Sequence, residues 1–70
     1  MMSVFLSLGV VEAIIRLLHE EGRIAAIRFL HGQPISFWEV ECERAVDFIA
    51  ASTTLDISTR KGVLGVYIQL

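Results

Sequence analysis

The sequence predicts an α+β domain: three helices, the last two joined by a tight turn, followed by a C-terminal β-hairpin. Two observations predict it. The run Gly32-Gln33-Pro34-Ile35-Ser36-Phe37-Trp38-Glu39-Val40 stops one helix and starts another within a few residues. After Ser52-Thr53-Thr54 the hydrophobic period then changes from helical to two. With no repeat, low-complexity tract or Gly/Ser linker, residues 1–70 read as one small domain.

The first element admits two readings. Ser3-Val4-Phe5-Leu6-Ser7-Leu8 alternates small polar with apolar residues except at Phe5, which suits a short strand or the leading turn of the first helix. Over residues 10–20 the helical period is clear. Val11, Ile14, Ile15 and Leu18 share one side, and Glu12, Arg16 and Glu20 stand at i,i+4 on the other. Gly22 closes this helix. A second helix, about 23–31, is expected to bury Ile24, Ile27 and Leu30 and to end at Gly32, which can adopt the left-handed conformation, with Pro34 unable to continue it.

Ser36 and Glu39 form a capping box, and Ile35 with Val40 has the spacing of a hydrophobic staple. A third helix over about 37–51 follows, with Trp38, Cys42, Ala45 and Ile49 as its seam, widened by Phe37, Val40 and Phe48. In the tail Leu55 and Ile57 alternate with Asp56 and Ser58. Leu64, Val66, Ile68 and Leu70 alternate with Val63, Gly65, Tyr67 and Gln69. Between these runs Thr59-Arg60-Lys61-Gly62 fits a type I turn, with Gly62 as the left-handed residue of a bulge.

A 70-residue domain buries only about 60% of the surface its unfolded chain exposes, so its core is marginal. Chains this short usually add disulfides, a metal or oligomerisation. The lone Cys42 excludes an internal disulfide, and no ligand-type residues converge at a metal-site spacing. Oligomerisation remains, and a 54% hydrophobic composition agrees with a surface that faces another chain. The expected contact is the apolar N-terminal segment, through Val4, Phe5, Leu8 and Val11.

The net charge of −2 provides no overall field to gather nucleic acid, so any basic footprint must be local. The segment 4–11 is apolar, but no Lys or Arg precedes it and no small-residue cleavage site closes it, unlike a signal peptide. Glu12 and Arg16 interrupt it well short of the roughly 20 apolar residues of a membrane span. A single thiol suits a reducing cytoplasm.

Chemically capable residues have structural explanations. Cys42 lies on the apolar seam, as a buried structural thiol does. His19 and His31 stand at helix C-termini, where an imidazole helps satisfy the last carbonyls. Neither has an Asp, Ser or Cys at a triad-like spacing, Ser36 is committed to capping, and no Gly-rich phosphate loop follows a strand. Neither an enzyme nor a cofactor is expected.

The Gly32–Ser36 turn, the helix after it, the Arg60-Lys61-Gly62 tip and the closing strand from Gly65 together resemble, in layout, a winged helix-turn-helix domain over residues 10–70. A second resemblance is to the C-terminal domain of ribosomal protein L7/L12. It rests on Gly22-Arg23-Ile24-Ala25-Ala26-Ile27-Arg28 and Glu43-Arg44-Ala45-Val46-Asp47, but that family's last helix is replaced here by the hairpin. The winged-helix resemblance implies a third helix in the major groove and a hairpin tip on the adjacent backbone.

The third helix departs from that pattern, because Glu39, Glu41, Glu43 and Asp47 outnumber Arg44 and would meet phosphates with like charge. Like-charge pairs at Glu39/Glu43 and Glu43/Asp47 also weaken the helix unless something offsets them. The primary expectation is therefore a self-associating protein-interaction module or small regulator. It would present Trp38, Glu39, Glu43 and Asp47 to a protein partner. The alternative is a DNA-binding regulator using Arg23, Arg28, Arg60 and Lys61.

Overall fold

A computed structural model describes the backbone of residues 3–34 and 39–70 and, apart from Glu39, their side chains. In chain order the elements are β1 (Ser3–Ser7), α1 (Leu8–Glu20), α2 (Arg23–His31), α3 (Glu39–Ala51), β2 (Ile57–Arg60) and β3 (Val63–Gln69). The strands form one antiparallel sheet in the order β1-β3-β2. Ser3 pairs with Gln69 and Ser7 with Gly65 on one side of β3; Ile57 pairs with Val66 and Arg60 with Val63 on the other. The chain is thus an α+β protein whose C-terminal hairpin is completed by an N-terminal strand.

The two readings of residues 3–8 resolve into a strand that runs straight into α1, which begins at Leu8, two residues before the expected start. At the other end of α1, the amides of Glu21 and Gly22 both donate to the Leu17 carbonyl at 2.8 Å. Gly22 then turns the chain at φ 99°, a conformation that a side chain would strain. The end of α2 differs from expectation. Gly32 is right-handed (φ −79°, ψ −6°). The helix instead tightens as Gln33 donates its amide to Leu30 at 3.1 Å and its side-chain nitrogen to the Phe29 carbonyl at 3.3 Å. The Ser36 cap, its staple and Phe37 lie outside the described residues.

The hairpin tip is also tighter than expected. Because Arg60 pairs with Val63, the loop is only Lys61-Gly62, and both residues have positive φ (50° and 81°). That is the sign pattern of a type I′ turn, whose twist matches the strands, in place of a type I turn with a bulge.

The core lies between the sheet and the helices. Leu6, Val66 and Ile68 project from the sheet onto Val11 and Ile14 of α1, Ala26, Ile27 and Leu30 of α2, and Cys42, Ala45, Val46 and Ile49 of α3. On α2 and α3, residues expected inside are exposed: Ile24 at 65%, Val40 at 56% and Phe48 at 39%. Helical geometry explains each. At about 100° per residue, Ile24 falls roughly 110° from the centre of the Ala26-Ile27-Leu30 face. On α3 the true seam includes Val46, which puts Val40 nearly opposite it and Phe48 well to the side. Leu64 has the inward parity but sits near the hairpin tip, beyond the helices, and is 53% exposed.

Candidate functional site

Three surfaces gather residues with binding potential. The first is the polar side of α3. Arg23 occupies the core-facing side of α2 but in its first turn, where the helix end is open and the side chain can reach α3. Its Nε donates to Asp47 Oδ1 at 2.8 Å and its Nη2 to Oδ2 at 3.1 Å, with Glu43 Oε1 3.8 Å from Nη2. The hydrogen bonds from Arg23 hold the Asp47 carboxyl below its ordinary value, and the same bonds raise the guanidinium. One cation thus bridges two like charges one turn apart. The repulsion expected between Glu43 and Asp47 has an intramolecular remedy.

Two sets of residues expected to work separately therefore meet: Arg23 from the basic set and Glu43 with Asp47 from the acidic one. Arg28 is exposed on α2, while Arg60 and Lys61 lie apart at the hairpin tip. Trp38 and the side chain of Glu39 lie outside the described residues.

The second surface is an open groove of about 480 Å³ between α1, the C-terminal part of α3 and the segment leading into β2. Its walls are mainly apolar, with Leu8, Val11, Ile15 and Leu18 from α1 facing Ile49, Leu55 and Ile57, and with Glu12 and His19 also on its lining. Ile15 and Ile57 are 38% and 56% exposed. Of the four residues expected to form an oligomer contact, Leu8 and Val11 line this groove, Val11 from its floor, since it is 1% exposed and also belongs to the core. Val4 is half-buried against that core, because β1 is paired into the sheet instead of extending from it.

The third surface is the side of the sheet away from the helices. Strand parity and register place Ser3, Phe5, Ser7, Ser58, Arg60, Val63, Gly65, Tyr67 and Gln69 on it. Phe5 lies directly across from Tyr67, with ring centroids 5.0 Å apart and planes at 60°. The Phe5 ring covers the space above Gly65, where a Cβ would run into that ring and the Leu6 carbonyl oxygen. Phe5, Ser7, Arg60, Lys61 and Val63 line a shallow recess of about 400 Å³. Ser58 Oγ is buried with no hydrogen-bond partner among the described residues.

Sequence reasoning missed Tyr67 as a neighbour of Phe5, and Ile15, Leu55 and Ile57 as walls of one groove. Alternation along β3 already put Val63, Gly65 and Tyr67 on a common face. No local pattern encoded the register that sets Phe5 among them.

Among the described residues no group of three or more His, Cys, Asp or Glu is placed to hold a metal ion, and no helix is long and apolar enough to cross a membrane. The structure itself defines the class: a small three-helix α+β domain on a three-stranded antiparallel sheet. Comparison with family models, curated proteins and solved structures finds no significant match.

Proposed function

We propose that this chain is a non-enzymatic binding module that works as a self-associated unit, with a second copy seated on the groove between α1 and the end of α3. The groove carries this reading: it is an open, mainly apolar surface in which Ile15 and Ile57 stay exposed. The acidic side of α3 is not part of the reading, since Arg23 already offsets Glu43 and Asp47.

The finer winged-helix reading keeps support from the order of α2, α3 and hairpin, with Arg60 and Lys61 exposed near its tip. Duplex recognition through α3 is opposed by the acidic residues that dominate that helix.

Light scattering across tens to hundreds of micromolar tests self-association. The wild type is expected to be a dimer or larger, and Ile15→Glu and Ile57→Lys each to yield a folded monomer. A wild type that stays monomeric throughout, or variants that associate as it does, would overturn the proposal.

A further inference from the structure

We infer that the helix-free face of the sheet binds single-stranded nucleic acid, with bases stacking on Tyr67 and Phe5 and phosphates held by Arg60 and Lys61. All three helices lie on the other side of the sheet, so nothing from the described chain covers this face. Its register residues include no Asp or Glu, although the chain as a whole carries a net charge of −2. Two of the chain's six Lys and Arg side chains, Arg60 and Lys61, line the same recess as Phe5. This charge complementarity selects a polyanion over a second copy, which would bring like charges together across the face.

The rings select the single strand. Tyr67 is 47% exposed, and Phe5 is propped across Gly65 as its cross-strand neighbour. Aromatic rings displayed on an open sheet offer π surfaces to unstacked bases, whereas a duplex keeps its base faces stacked against one another. Serines at positions 3 and 7 and Gln69 add hydrogen-bonding groups around the rings without adding negative charge. The face is sequence-tolerant by construction, since every base has a π face. It lies on the layer opposite the groove, so an associated pair would display it twice.

Fluorescence anisotropy tests the inference, with labelled oligothymidylate and oligouridylate of roughly ten nucleotides, a length typical of small single-strand sites, and the matching duplex. At least one single strand is expected to bind, with a log–log salt slope of about −1.4 for two phosphate contacts. The duplex is expected to bind about tenfold more weakly. Tyr67→Leu, which keeps apolar bulk but removes the ring, should weaken binding by about tenfold or more. Tyr67→Trp should preserve it, and guards against a Leu variant that fails to fold. Arg60→Gln with Lys61→Asn should flatten the salt slope toward zero. No single-strand binding at hundreds of micromolar overturns the inference. So does equal binding of strand and duplex that ignores Tyr67→Leu, or a dimer that falls apart in Tyr67→Leu, which would make the face a contact between copies.

Discussion

Gly65 shows how much one position can control in a chain this small. Glycine weakens a strand interior through entropy and leaves no side chain to pack. Here it lets β1 and β3 approach so closely that a Cβ would meet both the Leu6 carbonyl oxygen and the Phe5 ring. A ring laid over a strand glycine also restores the packing that the missing side chain gives up. Because one of the obstructing atoms is backbone, Gly65→Ala must move the strands apart instead of turning a rotamer. The expected cost is about 1–3 kcal/mol or more, as for other overpacked sites. In a domain of this size each kcal/mol lowers the melting temperature by roughly 4–8 °C, so calorimetry resolves it. A variant that melts with the wild type would mean that β1 does not pair with β3 in this register.

At the scale of elements, the Arg23 contact ties α2 to α3 and gives their packing a pH dependence. Asp47 has its folded pKa lowered, mainly by hydrogen bonds from Arg23, from an ordinary value of 3.8. The sign follows from linkage. A carboxylate with a depressed folded pKa adds stability that is complete above the unfolded pKa and is lost as pH falls through the folded one. Asp47→Asn should therefore be less stable than the wild type at neutral pH. The gap should close as pH falls below 3.8 toward the lowered value. Both side chains are about half exposed, so the effect is small and diminishes with added salt. Urea unfolding at neutral and strongly acid pH checks it, and a gap that is unchanged or wider in acid would show that the pair does not act through Asp47 ionisation.

For the whole molecule, the decisive fact is that the first strand and the last are neighbours. β1 contributes the fully buried Leu6 and completes the sheet along β3. Removing a buried Leu side chain alone costs about 2–5 kcal/mol. A domain of this length has a total stability of only roughly 4–10 kcal/mol. Deleting residues 1–7 therefore should leave no cooperative unfolding transition, whatever the oligomeric state. A truncated chain that still melts cooperatively would show that β1 is dispensable, restoring the N-terminal segment as a candidate contact arm.

Much of the fold was legible because it is encoded locally. Residues 23–31 form the expected helix between Gly22 and the Gly32–Pro34 stop, and the change from helical to alternating period after Ser52 marks the hairpin. These signals depend on residues within one or two turns of each other, so a single sequence carries them. What the sequence left open depends on partners far along the chain. Whether residues 3–7 are a strand was settled by an open edge of β3 more than fifty residues away. The choice of Val46 over Val40 for the interior was made by the direction from which α2 and the sheet approach α3.

The binding surfaces divide along the same line. Composition and local pattern alone point to a small α+β chain with an apolar excess, an acidic third helix and a basic hairpin tip. It took the closed fold to bring Arg23 between Glu43 and Asp47, to put Val11 in the core, and to set Phe5 beside Tyr67 and the tip cations. The physical reason is one of range: helix caps, turns and periodicity are read from neighbours in sequence. Burial, ion pairing and strand register are set by neighbours in space, which exist only once the chain has closed on itself.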